Sequence, residues 1–194
     1  MANGFCIFNF CAVAALHATE KHGLKVSIFD WDVHYGQGVV DIVKGHDQIR
    51  YASIHQTPAF PYMGEKRGIT QNILAVPIIA ETSWTCGYES ALKDHVLPFL
   101  FTPSEEGTRS EWKPDLVIVS AGYDALDSDD LASVSLQAKD FGRISKCLME
   151  ETNRQEKKVN IVFGLEGGYQ LSKMAGGGNM PDAVVETVKA LSLD

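Results

Sequence analysis

Basic side chains are in short supply: 17 Lys and Arg stand against 25 Asp and Glu, a formal net charge of −8 over 194 residues. A general nucleic-acid or membrane-surface binder needs a basic patch, so the balance argues against both classes. It leaves room for a cationic substrate, which an acidic surface attracts. No run of ~18 apolar residues occurs, so no membrane span is expected. The apolar opening, MANGFCIFNFCAVAAL, lacks a basic region ahead of it and does not read as a signal peptide. The four cysteines, Cys6, Cys11, Cys86 and Cys147, form no CxxC pair and keep no regular spacing. They read as buried free thiols of a reducing, intracellular compartment.

What is present is an alternation of helices and apolar strands. Residues 6–22 place Ala12, Ala15, Leu16 and Thr19 at helical spacing, with Gly23 as a C-cap. Short apolar runs follow at 25–30, 49–55 and 73–78. Residues 84–101 read as a helix that Pro98 strains or ends. PDLVIVSAGYD (114–124) is the plainest strand; 137–154 is an amphipathic helix; VNIVFGLEGGY (159–169) is a strand running into glycines. Residues 181–193, opened by Pro181, form a last helix. Residues 102–114 form a polar loop and 174–181 a flexible connection. Continuous apolar strands between helices predict one α/β domain over 1–194, a parallel sheet with helices on both faces.

Ligands of open α/β sheets bind beyond the carboxyl ends of the strands. Three strand ends here are polar. DWDVHYGQG (30–38) carries Asp30, Asp32 and His34 at alternating positions, so in extended chain they share one side while Phe29, Trp31 and Val33 share the other. A second strand ends in Asp124, and the last in Glu166-Gly167-Gly168-Tyr169. A polar strand edge facing water is the plain reading of DxDxH. The functional reading is a three-ligand centre of Asp32, His34 and Asp124, which leaves an open position as catalytic zinc requires. The oxygen-rich set also suits iron(II), cobalt or manganese.

Together these motifs resemble the zinc-dependent histone deacetylase and acetylpolyamine amidohydrolase family, in particular its class II and bacterial-type members. The likeness runs through GFCIFN (4–9), DWDVHYGQG, SIH (53–55), FP (60–61), SAGYDALDSDDLA (120–132) and EGGY (166–169). It implies an arginase-like fold and removal of acetyl from acetyl-lysine of a histone or other protein, or from an acetylated polyamine. It implies Zn2+ on Asp32, His34 and Asp124, and Tyr169 as the group that hydrogen-bonds the oxyanion. Phe5 and Phe60 match walls of the acyl channel, and Gly167 and Gly168 suit close backbone approach to a ligand. Ser53 and the backbone around Asp30, Asp32 and His34 match a structural K+ site.

The chain departs from the family pattern in places. Tyr35 stands where a second histidine is usual, and Gln37 where the family has Asn or Asp supporting a catalytic histidine. The family's general base and its partner are tandem histidines just before the GFC motif. Here the six histidines, His17, His22, His34, His46, His55 and His95, are all single. The resemblance therefore predicts the C-terminal portion of a catalytic domain, its N-terminal part missing and a sheet edge or apolar face uncovered. Asp30 becomes the orienting carboxylate of a histidine this chain does not contain. His55, after a strand end, is the nearest substitute base. Two functions follow: a zinc amidohydrolase, or an impaired module that binds zinc or partners without turnover. Manganese chemistry of the arginase type lacks its second set of ligands.

Overall fold

The computed structural model describes residues 3–102, 112–172 and 178–192. Helix α1 spans Phe10–His22. It starts four residues later than expected because Asn9 caps it, accepting the Ala12 N–H at 2.8 Å. Gly23 closes it in the left-handed conformation, φ 65°. Its buried face is Ala12, Ala15 and Ala18, small side chains that let the helix lie close to the sheet.

The remaining elements are β1 (Val26–Asp30), α2 (Gln37–Val43), β2 (Ile49–Gln56), β3 (Gly68–Thr70), β4 (Ile73–Ile78), α3 (Tyr88–Ser90), a π-helical segment (Ala91–Val96), α4 (Leu97–Phe101), β5 (Leu116–Ala121), α5 (Ala138–Asn153), β6 (Asn160–Leu165) and α6 (Met180–Leu191). The sheet order is β3-β4-β2-β1-β5-β6. All neighbours are parallel except β3 and β4. From β1 the chain builds outward through β2 to β4, then returns to the other side of β1 for β5 and β6. The switch point of the topology therefore lies between the carboxyl ends of β1 and β5, where this sheet class opens a crevice.

Two apolar layers sandwich the sheet. Val26, Ile28, Ile49, Tyr51 and Ile118 pack with the α1 alanines and with Val39 and Val43 of α2. Phe29, Trp31, Val117 and Val119 pack on the other face with Leu92, Leu100, Phe141, Ile144 and Leu148. The alternation within β1 sends even positions to one layer and odd positions to the other.

Several expectations need correction. Strand β3 is antiparallel and exposed throughout, so its three residues carry no apolar run to reveal it. The helix over 84–101 is a helical run over 88–101 with a π-helical turn before Pro98; a proline has no N–H to give the α ladder, and the wider turn takes up the fault. The strands over 114–124 and 159–169 stop at Ala121 and Leu165, leaving the glycine-bearing ends as loops. Strand β6 is one edge of the sheet, and Val162 and Leu165 on it are exposed, in keeping with the expected uncovered edge or apolar face. Exposed Phe5, Ile7, Phe8, Phe10 and Val13 add apolar surface at the other end of the sequence. The thiols are free, but Cys6 and Cys86 are exposed and only Cys11 is buried. The polar loop over 102–114 falls largely outside the described residues, as does the first half of the connection over 174–181, whose last two residues already belong to α6.

Candidate metal centre

Strand β1 ends at Asp30, and the alternation beyond it is continued by two tight side-chain turns instead of extended chain. Asp30 Oδ1 accepts the Asp32 N–H at 3.1 Å, and Asp32 Oδ1 accepts the His34 N–H at 2.9 Å. Trp31 and Val33 still point inward, fully buried, and anchor the segment from behind. Across the switch point, Asp124 follows β5. Its Oδ1 accepts the Val33 N–H at 2.9 Å, which ties the two strand-end loops together. The loop after β6 closes the third side, with the Gly167 N–H donating to Asp32 Oδ2 at 3.0 Å.

These bonds spend the outer edges of the carboxylates and aim the rest inward. His34 Nδ1 lies 3.1 Å from Asp32 Oδ1 and 3.0 Å from Asp124 Oδ2. One ligand atom from each of the three residues falls within 4.8 Å of the others. Asp124 is fully buried, and its Oδ2 faces His34 Nδ1, which satisfies it only while that nitrogen carries a proton. A buried carboxylate oxygen left unsatisfied costs ~1–3 kcal/mol or more, and a cation in the centre would remove that cost. The donor set, two carboxylates and an imidazole, fits a divalent metal. Glycines make room for this crowding: a Cβ on Gly122 would meet the Asp32 Cα at 2.7 Å, and one on Gly167 would meet Asp32 Oδ2 at 2.6 Å.

The electrostatics agree. Burial disfavours the His34 imidazolium, but hydrogen bonds to Asp124 and Asp32 and their charges outweigh it, and its pKa rises to about 10. Burial, and then the charge of Asp32, push the Asp124 carboxyl upward. Without metal, then, a proton on His34 is held between the two acids.

The other expected residues divide into two groups. Tyr169, half-exposed on the loop after β6, is close enough for Asp124 and Asp32 to act on its phenol; burial first, and then those charges, raise its pKa to about 12. Phe5 sits edge-on to Tyr169, ring centroids 5.9 Å apart, and Phe60 edge-on to His34 at 6.2 Å. Gly167 lies against the ligand carboxylates, and Gly168 (φ 122°) makes the turn that brings up Tyr169. Asp30, Ser53 and Gln37 lie outside the ligand cluster. Asp30 is buried and accepts the Tyr51 hydroxyl at 2.7 Å, so it has a tyrosine partner in place of a histidine. Burial and the charge of Asp32 raise its pKa well above the carboxylate range. Ser53 is the register partner of Asp30 across β1 and β2, and its hydroxyl bonds His55 Nδ1 at 3.0 Å. Gln37 opens α2, half-buried.

His55 is no substitute base. It is fully buried, and Nε2 meets the Gly64 carbonyl at 2.9 Å. A carbonyl only accepts, so Nε2 carries the hydrogen and Nδ1 accepts from Ser53. Both nitrogens are spent, and burial lowers the pKa. Sequence reasoning missed two residues with a hand in the site. Tyr51 is recoverable from the strand register that sets β2 beside β1. Asp129, which accepts the Tyr169 N–H at 2.7 Å, is one acid among several in DALDSDD, and nothing in the spacing marks it.

Comparison with known proteins matches the histone deacetylase domain to residues 1–180. An uncharacterized protein of Synechocystis sp. is 39% identical over 191 residues, covering 97% of this chain and 56% of its own length. Human polyamine deacetylase HDAC10 is 30% identical over 204 residues, covering 98% of this chain and 27% of its own. The crystal structure of the HDA15 HD domain has a TM-score of 0.76 at 29% identity, covering 99% of this chain and 53% of that one. This chain thus spans about half the length, or less, of the relatives it matches. Among the described residues no helix is long and apolar enough to cross a membrane.

Proposed function

The chain belongs to the histone deacetylase family, and on that footing we propose that it acts in zinc-dependent hydrolysis of an acetylated amine, acetyl-lysine or an acetylated polyamine. The reaction adds water across the acetyl C–N bond and releases acetate and the free amine. The single observation that carries the reading is the cluster of Asp32, His34 and Asp124, with the buried Asp124 Oδ2 turned into it against His34 Nδ1. These three residues would hold the zinc, which when bound polarises a carbonyl and acidifies water.

The chain's own groups supply the rest of this half of the site. With a pKa raised to about 12, the Tyr169 phenol keeps its proton at neutral pH and donates to the carbonyl oxygen as it gains charge. Phe5 and Phe60 flank the centre and offer aromatic walls to an alkyl chain. The acidic balance of the chain favours a cationic substrate or its amine product. A potassium ion beside Asp30 and Ser53 fits the same reading: Ser53 gives its hydrogen to His55, which leaves its lone pairs for a cation.

A second reading, zinc or partner binding without turnover, is favoured by one observation. Among the described residues no histidine stands ready as general base: His34 belongs to the ligand cluster and His55 is locked. A missing base of this kind costs typically ~10²–10⁴ in rate. The test is acetate release from an acetyl-lysine peptide and from an acetylpolyamine by the zinc-loaded chain. Release that vanishes in Tyr169→Phe supports the enzyme; bound zinc with no acetate supports the second reading.

A further inference from the structure

We infer that Asp129 is a positioning residue that holds Tyr169 over the metal cluster; the inference rests on the role proposed above for Tyr169. Tyr169 needs such a grip. Its side chain is 46% exposed, and its one described ring contact is Phe5, itself 85% exposed, so packing does not fix it. It also lies beyond the end of β6, where no ladder bond reaches. The backbone on its amino side is held: Glu166 N–H donates to Ala121 O at 3.1 Å, and Gly167 O accepts the Tyr123 N–H at 2.9 Å. Gly168 then turns at φ 122° and frees the next amide from the sheet.

That amide points at Asp129. Oδ2 accepts the Tyr169 N–H at 2.7 Å, and Oδ1 accepts the Leu131 N–H at 3.0 Å. The carboxylate is 6% exposed, and its own N–H donates to Leu126 O at 3.1 Å. A buried carboxylate gripping two backbone N–H groups makes short, charge-assisted bonds, among the strongest available to a loop. Asp129 stands five residues after Asp124 on the same loop. One short segment therefore supplies a metal ligand and sets the backbone of the residue that faces it, so the two move as a unit. Nearby Ser128 bonds the Gly178 carbonyl at 2.7 Å and its own carbonyl accepts from Gln170 Nε2 at 3.3 Å; these bonds brace the loop but do not touch Tyr169.

A misplacement of ~1 Å in a reacting group costs ~10²-fold in rate. The test compares wild type, Asp129→Ala and Ser128→Ala as the full chain. In the metal-free protein, amide hydrogen exchange and the proton shift of the Tyr169 N–H are read by NMR. The inference requires a downfield, protected Tyr169 amide in wild type and Ser128→Ala, and its loss in Asp129→Ala while zinc affinity stays within ~3-fold. In the zinc-loaded enzyme, Asp129→Ala should lower kcat ~10²-fold with KM little changed, and should add nothing to Tyr169→Phe. A Tyr169 amide that keeps its shift and protection in Asp129→Ala overturns the inference, as does a rate loss that multiplies with that of Tyr169→Phe. If the wild-type chain releases no acetate, the proposed activity fails while the amide measurement still decides the role of Asp129.

Discussion

Replacing Gly167 by Ala tests the metal centre without removing any ligand. The new Cβ would lie 2.6 Å from Asp32 Oδ2 and closer still to Asp124 Oδ2, and its neighbours include the Asp124 Cγ at 2.9 Å. Real Cβ contacts do not fall below 3.0 Å, so Asp32 Oδ2 alone must retreat by about 0.4 Å. Metal–ligand distances tolerate only ~0.2 Å. Neither carboxylate can yield freely: Asp32 is held by the N–H groups of His34 and Gly167, and Asp124 by that of Val33. The Gly167 φ is not in the left-handed region, so backbone strain does not confuse the result. Zinc affinity should fall at least ~10–100-fold, the range seen when a ligand's support is disturbed. Overpacking should cost ~1–3 kcal/mol of stability, leaving the fold intact. Competition with a chromophoric chelator measures the first and urea unfolding of the metal-free protein the second. Gly38→Ala, whose Cβ meets only Asn9 Nδ2 at 3.4 Å, is the control and should bind zinc normally. Wild-type affinity in Gly167→Ala would refute the packing of this loop against the ligands.

Three further outcomes are expected. Tyr169→Phe should lower kcat ~10²–10³-fold, the worth of one oxyanion donor, and leave zinc affinity unchanged; an equal loss of zinc would make Tyr169 part of the metal support instead. The His34 pKa, about 10 in the folded metal-free chain against an ordinary ~6.5, means its imidazolium contributes stability that is full below pH ~6.5 and is lost as pH rises toward 10. Raised Asp30 and Asp124 act in the same direction, since charging them on raising the pH costs stability. Zinc must displace the His34 proton, so its affinity should tighten ~10-fold per pH unit between pH 6 and 9, and the gap in Tm between loaded and metal-free protein should widen; calorimetry showing a flat or shrinking gap would contradict this. Asn72→Ala removes a buried side chain that accepts from Gly45 N–H and donates to the carbonyls of Val43 and Ile49. It should cost about 2–4 kcal/mol by urea unfolding, and a loss under ~0.5 would refute its structural role.

The sequence made the sheet legible where strands were apolar on both faces: β1, β2, β4 and β5 lie where their runs predicted. It failed where burial did not dictate composition, as at β3; β6 falls within its expected run, though Val162 and Leu165 face outward. The cluster was legible because Asp32, His34 and Asp124 follow apolar strands, and a strand end is where a charge stands out. What was not legible depends on which strands are neighbours. The Asp30–Tyr51 bond needs the β1–β2 register, and the locked tautomer of His55 needs the Gly64 carbonyl brought back by a loop nine residues on. Likewise, nothing in DALDSDD distinguishes Asp129, which turns inward to Tyr169, from its neighbours.

The most direct test of the metal centre is X-ray absorption at the zinc edge on the purified chain loaded with one equivalent. The expected spectrum shows nitrogen and oxygen donors only, at ~2.0–2.2 Å, with the signature of a single imidazole, and it loses that form in Asp124→Ala. A sulfur donor at ~2.3 Å, from exposed Cys6 or Cys86, or an unchanged spectrum in Asp124→Ala, would contradict a centre built by Asp32, His34 and Asp124.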